Sequence, residues 1–163
     1  MGIVNVTPDS FSGDGITRVD QAVARARQME ADGADLIDVG AESTRPETWA
    51  GPGLAEEDEL ARVIPAVEAI SAAVTIPVSI DTYKSEVARR ALAAGARLVN
   101  DVFGLRRDPT MEAAVAETGV PVILMHNGST PAGHDLVPDI KAGRAERLSL
   151  AGRARIGTSR TMA

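Results

Sequence analysis

Three observations on a chain of 163 residues predict an α/β fold with a parallel sheet. Short apolar runs recur along the chain, stretches with helical periodicity separate them, and a glycine stands between several of those stretches and the next run. The runs are Gly2 to Val6, Asp35 to Gly40, Ile76 to Asp81, Arg97 to Val102 and Val120 to Met125. Each has strand length. Their near-continuous Val, Ile and Leu content, as in Leu36-Ile37-Asp38-Val39 and Val122-Ile123-Leu124-Met125, suits strands covered on both faces.

Between the second and third runs, Leu60, Val63, Ile64, Val67 and Ile70 fall on one stripe at the 3.6-residue period, predicting a helix over 56–73. Glu56, Glu57, Asp58 and Glu59 load its first turn with the charge that the helix dipole favours there. Pro65 would kink or restart it. Gly33, Gly95 and Gly119 each stand where a left-handed helix cap belongs, and Asp108-Pro109 reads as a helix N-cap followed by the first helical residue. A Gly-Ala-x-Leu pattern precedes two strands, at Gly33 to Leu36 and Gly95 to Leu98. With right-handed crossovers, this alternation builds either an open parallel sheet or an arc of a barrel. No linker divides the chain, so residues 1–163 are read as one domain.

Composition narrows the function. With 44% hydrophobic and 25% charged residues the profile is that of a globular domain, and no run approaches a membrane span. The start MGIVNVTPDSF lacks the basic and apolar regions of a secretory signal, so a cytoplasmic enzyme or binding domain is the default expectation. The absence of cysteine excludes disulfides, thiol catalysis and cysteine-ligated zinc. A net charge of −6 argues against a broad nucleic-acid surface. That charge is uneven: residues 1–140 carry 11 basic and 22 acidic side chains, whereas residues 141–163 carry 6 basic and 1 acidic.

Polar residues gather at the C-terminal ends of the strands, the functional edge of α/β folds. Asn5 follows the first, Glu42 to Arg45 the second, Asp81 ends the third, Asn100-Asp101 lie within the fourth, and His126-Asn127 follow the fifth. Burying such groups without partners costs kilocalories, which a purely structural sheet would avoid. Individually, Asn5, Asn100 and Asp101 could instead serve as loop caps, a reading that five strands ending the same way make poorer jointly. In the loop Thr7 to Gly15, Phe11 could cover a ligand or pack back onto the domain. In the loop Glu42 to Gly53, the planar fork of Arg45 suits phosphate or carboxylate, with a surface salt bridge as the alternative; Trp49 would shield the loop. Asp81 beside Asn100 offers acceptor and donor groups for a flat heterocycle, or simply a buried Asp–Asn hydrogen bond. His126 is an acid–base or ligand candidate. With only two histidines and no carboxylate pair at metal spacing, a histidine metal site is disfavoured, and His134 carries no signal.

Five ordered motifs resemble the dihydropteroate synthase family: Met1 to Ser12, Gly33 to Pro46, Val78 to Thr82, Val99 to Val102 and Ile123 to His126. The resemblance implies a TIM (β/α)8 barrel that joins 6-hydroxymethyl-7,8-dihydropterin diphosphate to para-aminobenzoate, giving dihydropteroate and diphosphate for folate synthesis. It implies that Asn5 attends magnesium and the diphosphate, and that Thr44 and Arg45 handle the diphosphate and order the aminobenzoate site. Phe11, Thr44 and Pro46 would border para-aminobenzoate, while Asp81, Asn100 and Met125 would hold the pterin, Asp81 also acting in catalysis. Magnesium and an arginine fork would stabilise the leaving diphosphate. The family implies a cytoplasmic homodimer acting on small molecules, with no nucleic acid and no membrane.

The sequence also departs from the family. Five β/α units are legible where a barrel has eight, and the later Asp-Pro-Gly, Ser-Arg-Lys and Arg-x-His motifs are absent. Asp139 to Leu150 reads as a fifth helix, whereas Gly152 to Ala163 shows no strand of useful length and, with the rest of 141–163, forms an atypical basic tail. A frame change or gene interruption near 141–152 would explain it. A five-strand arc is expected to expose two edges and one apolar face. Two other readings therefore stand: an inactive fragment of the enzyme, and a pterin-binding methyltransferase domain, against which the loops at Asn5 to Phe11 and Ser43 to Pro46 argue.

Overall fold

Strands form at each of the five apolar runs, trimmed by one to three residues. The computed structural model describes residues 1–6, 17–42, 53–125, 141–143, 145, 149, 161 and 162. Its elements are β1 (Gly2–Asn5), α1 (Thr17–Ala31), β2 (Ile37–Gly40), α2 (Glu56–Ala73), β3 (Val78–Asp81), α3 (Ser85–Ala93), β4 (Leu98–Asp101), α4 (Met111–Thr118), β5 (Val122–Leu124) and β6 (Thr161–Met162). Among the described residues, no helix is long and apolar enough to cross a membrane.

Each strand pairs in parallel with the next one in sequence, in the order β1-β2-β3-β4-β5-β6. A doubly wound sheet reverses its order at a switch point; this sheet does not, and α1 to α4 pack against one another in succession. Right-handed crossovers without a reversal set every helix on the same side, as in a (β/α) barrel. The open-sheet alternative is thereby removed. In the tail, the strand among the described residues is the two-residue β6, in which Thr161 pairs with Val122 and Met162 with Ile123. Of the expected fifth helix, residues 141–143, 145 and 149 are helical.

Alternation divides the sheet's side chains. Val4, Val39, Ile80, Val99 and Val122 form one lateral row, all buried, and meet Ala22, Ala26, Val63, Val67, Ile70 and Val87 from the helices. The opposite face is only partly the apolar surface expected of a bare arc. It is mixed, carrying Asp38, Ser79, Asp81 and Asn100 beside Ile3, Leu98 and Ile123, with Ile3 and Met125 among its exposed apolar side chains. The face turned from the helices is where a barrel keeps its interior and, at the strand C-termini, its site.

Helix α2 runs unbroken through Pro65. Pro65 and Ala61, whose carbonyl loses the missing N–H, both lie on the exposed side, where water takes the bond. The buried stripe of α2 is Glu59, Val63, Ala66, Val67 and Ile70, with Leu60 and Ile64 only half-buried against α3. Glu59 is therefore not the solvated first-turn acid that its position predicts. Helix α4 begins two residues later than Asp108-Pro109 implies. Asp108 instead builds the preceding turn, its Oδ1 accepting from Thr110 N at 2.8 Å and Thr110 Oγ1 at 2.6 Å, while its Oδ2 caps Ser85 N of α3 at 2.7 Å. Burial works against that charge, but hydrogen bonds from Thr110 and Ser85 prevail and lower its pKa to about 2.

The glycine caps are present, with φ of +94° at Gly33, +117° at Gly95 and +66° at Gly119. After α1 and α3 they close Schellman motifs: Ala34 N reaches Met29 O at 2.9 Å, and Ala96 N reaches Ala91 O at 3.0 Å. This explains the repeated Gly-Ala-x-Leu pattern. The two sites differ in space. A methyl group at Gly33 meets nothing within 4 Å, whereas at Gly95 it would lie 2.9 Å from Ser71 Cβ. Gly33→Ala should cost about 1–2 kcal/mol from backbone strain alone. Gly95→Ala should cost about 1–3 kcal/mol more through the forced shift of α2. Urea unfolding of both variants checks this, and equal costs would show that Ser71 yields freely.

Candidate functional site

Register brings the predicted residues together. Asn5 pairs with Gly40, Gly40 with Asp81, Asp81 with Asn100 and Asn100 with Ile123, one lateral row at the C-terminal ends of β1 to β5. Paired positions share a face, so Asn5, Asp81 and Asn100 project from the side away from the helices. One layer deeper lie Asp38 and Ser79, also paired. Gly40 gives Asp81 its room, since a Cβ there would stand 3.3 Å from Asp81 Oδ2. Met125 follows β5 on the same face by alternation and is 38% exposed. Phe11, Thr44, Arg45, Pro46, Trp49, His126, Asn127 and His134 lie outside the described residues.

The expected Asp–Asn hydrogen bond exists, but to a different aspartate. Asn100 Nδ2 donates to Asp38 Oδ2 at 3.0 Å, and Ser79 Oγ donates to Asp38 Oδ1. Asp38, which sequence reasoning did not single out, thus fixes the amide of Asn100 with its carbonyl oxygen and second N–H left for other partners. Burial raises the Asp38 pKa, opposed by the hydrogen bonds from Ser79 and Asn100.

Asp81 is only partly covered as a residue, yet its Oδ1 is buried with no hydrogen-bond partner. Burial first, then the carboxylates of Asp38, Asp101, Glu59 and Glu42, push its pKa up to about 8. Near neutrality the free pocket therefore holds Asp81 mostly as the neutral acid. An orphaned carboxyl beside a half-satisfied amide is an arrangement made for a ligand that supplies N–H donors and ring acceptors.

Asp101 takes the structural alternative. It points to the helix side, where its Oδ1 accepts from Phe103 N and its Oδ2 from Leu105 N, both at 2.8 Å, fixing a turn in which Leu105 has φ +64°. Outside the pocket, Arg107 stacks on Tyr83 at 4.4 Å and on Phe103 at 4.6 Å, and the two rings meet edge to face at 5.2 Å.

A second polar group lies beside the row. Glu59, 1% exposed, accepts from Thr82 Oγ1 at 2.7 Å and pairs with Lys84 Nζ, which also reaches Glu42 Oε2 at 2.7 Å. Burial opposes the Lys84 charge, but hydrogen bonds to Glu42 and Glu59 outweigh it and raise its pKa. Among the described residues no three His, Asp or Glu side chains converge as a metal-ion cage. Asn5 is exposed at the end of its strand. Such a donor fits magnesium only in the mode where phosphate and water supply most of the oxygens.

Comparisons with known proteins bear on the family and the fold. The family model described as pterin binding enzyme matches residues 1–160. A dihydropteroate synthase of Bacillus subtilis is 44% identical over 152 residues, 93% of this chain and 52% of that protein. Solved dihydropteroate synthases superpose closely. The one from Clostridium difficile in the presence of pteroic acid has a TM-score of 0.89 at 40% identity, covering 99% of this chain and 61% of its own. The one from Xanthomonas albilineans with 4-aminobenzoic acid has 0.88 at 46%, covering 99% and 58%. The chain spans about half the length of the curated relatives it matches. With the family pattern matched over residues 1–160, nearly its whole length, this chain belongs to the pterin-binding enzyme family.

Proposed function

We propose that this chain carries the pterin-reading part of a dihydropteroate synthase, a transferase that condenses 6-hydroxymethyl-7,8-dihydropterin diphosphate with para-aminobenzoate. The observation that carries the reading is the row of Asn5, Asp81 and Asn100 above Asp38 and Ser79, with a buried Asp81 oxygen left unpaired. The relatives solved with pteroic acid and 4-aminobenzoic acid support it.

In this reading Asp81 and Asn100 bind the amino and ring N–H edge of the pterin, and Met125 lies against the ring. Donors from the ring favour the ionised form of Asp81, so binding releases a proton at neutral pH. The resulting carboxylate, with Asp38 below it, stabilises positive charge that develops on the pterin as the carbon–oxygen bond to diphosphate loosens. The described part of the pocket is rich in carboxylates, which repel a diphosphate; Arg45 and Thr44 would offset that repulsion. Asn5, together with diphosphate oxygens, would hold magnesium, which supplies neutralising charge at the leaving group. Phe11, Thr44 and Pro46 would border the aminobenzoate and keep water from the reacting carbon. A homodimer in the cytoplasm is the proposed setting.

Titration of the purified chain with the pterin diphosphate, followed by an assay of diphosphate release on adding para-aminobenzoate, tests the proposal. Saturable binding and release are expected. Binding without release assigns pterin recognition but not turnover to this chain alone; no binding rejects the reading.

A further inference from the structure

Asp38 on β2 lies one layer below the row of Asn5, Asp81 and Asn100, and both of its carboxyl oxygens are committed. Oδ1 accepts from the Ser79 hydroxyl, and Oδ2 accepts from Asn100 Nδ2 at 3.0 Å. All three side chains are buried. The consequence is a choice of polarity at Asn100. The two ends of an amide are nearly alike in shape, so packing alone does not tell its oxygen from its nitrogen, and the hydrogen-bond partner does. A carboxylate only accepts, so it holds the nitrogen and repels the oxygen. With its nitrogen held from below, the planar amide of Asn100 carries its oxygen on the side away from Asp38, where among the described residues no hydrogen bond takes it. Across the sheet, its paired neighbour Asp81 also has an oxygen without a partner. Two acceptors thus stand side by side at the strand ends.

We propose that Asp38 is a positioning residue that sets the polarity of the pocket: by holding the Asn100 nitrogen it turns the amide oxygen to the ligand, and so selects a flat heterocycle whose edge offers an amino group beside a ring N–H over the isomer in which that edge is reversed. This rests on the functional reading above, which makes the ligand a pterin. In a pterin the 2-amino group and the ring N3–H are adjacent donors. In the isomer with the 2-amino and 4-oxo groups exchanged, N3 and the 2-oxo group accept instead and would face the Asn100 oxygen lone pair to lone pair. Opposed, unpaired acceptors in a buried site reject a ligand more strongly than a missing apolar contact does.

The test uses Asp38→Asn, which keeps the shape but, with one oxygen and one NH2 group, serves either orientation of Asn100. After burial, Asp38 is the first of the carboxylates that raise the Asp81 pKa. Removing its charge favours ionised Asp81, which prefers donors on the ligand, so a weaker preference for donors cannot arise there. Two measurements are made on the full chain. In the parent, the side-chain amide of Asn100 is assigned by NMR through its own backbone, and the proton that meets Asp38 should exchange with solvent about tenfold or more slowly than that of an exposed asparagine. Exchange as fast as in an exposed asparagine overturns the proposal, whether or not the variant folds. Affinities are then compared for 6-hydroxymethylpterin and for its isomer with the 2-amino and 4-oxo groups exchanged. The parent should favour the pterin about 100-fold or more, and Asp38→Asn about tenfold or less. No preference in the parent overturns the proposal. So does a preference that falls less than about threefold in Asp38→Asn, including the case where both affinities drop together, as a merely structural role would have it. If the parent binds neither compound, the functional reading fails, and the selection of a ligand edge fails with it; the amide protons then separately decide whether Asp38 holds Asn100.

Discussion

Asp81→Asn is expected to make the chain more stable above about pH 8 while weakening its hold on pterin. Burial and the neighbouring carboxylates raise the folded-state pKa of Asp81 from 3.8 to about 8. Between those values the folded chain binds a proton that the unfolded chain has released, so stability falls as pH rises. The benefit of the raised pKa is complete below the unfolded value and is lost as pH climbs through the folded one. The slope approaches about 1.4 kcal/mol per pH unit in the middle of that window. Asparagine keeps the shape without the charge and should reduce the slope by about one proton. Urea unfolding of parent and variant at about pH 5 and about pH 9 measures the difference, and parallel curves would show that Asp81 ionises as an ordinary surface acid. The same substitution should cost about 10- to 100-fold in pterin affinity, since it removes a charged acceptor. Greater stability together with weaker binding would mark a site whose strain serves its ligand.

Lys84→Met alone should be among the most destabilising single changes in the chain, at about 3–5 kcal/mol. The cause is what it leaves behind rather than what it removes. Glu59 is 1% exposed, and Lys84 is the cation paired with it. Adding Glu59→Gln should recover most of the loss, because the glutamine oxygen can still accept from Thr82 Oγ1 while no buried charge remains. A double-mutant cycle in denaturant reads the coupling directly. A loss below about 1 kcal/mol for Lys84→Met would mean that Glu59 reaches water, contrary to its burial.

Much of this architecture is legible residue by residue. The apolar runs place β1 to β5, and the Gly-Ala-x-Leu pattern marks the Schellman caps after α1 and α3. Asn5, Asp81 and Asn100 stand out because amides and carboxylates are costly at the ends of buried strands, and the register sets all three in one row. Asp38 was open to detection as well. It is an acid inside an apolar run, two residues before Gly40 and so on the same face, but a run read as continuously buried hides the alternation that would have revealed it. Glu59 was not: it is one of four consecutive acids in a first turn, and nothing local separates the one that is buried from the three that are exposed.

The sequence by itself determined the alternation of elements, the helix caps and the identity of the polar strand ends, because these depend on periodicity and backbone preference within a few neighbouring residues. Only the tertiary structure decided that the strands follow one another without reversal, that the Asn100 side chain hydrogen-bonds to Asp38 rather than Asp81, and that Lys84 joins Glu42, Leu54 and Glu59. Those contacts link residues 25 to 62 positions apart. Their energies come from desolvation and from charges brought together by the fold, so no local pattern in the chain encodes them.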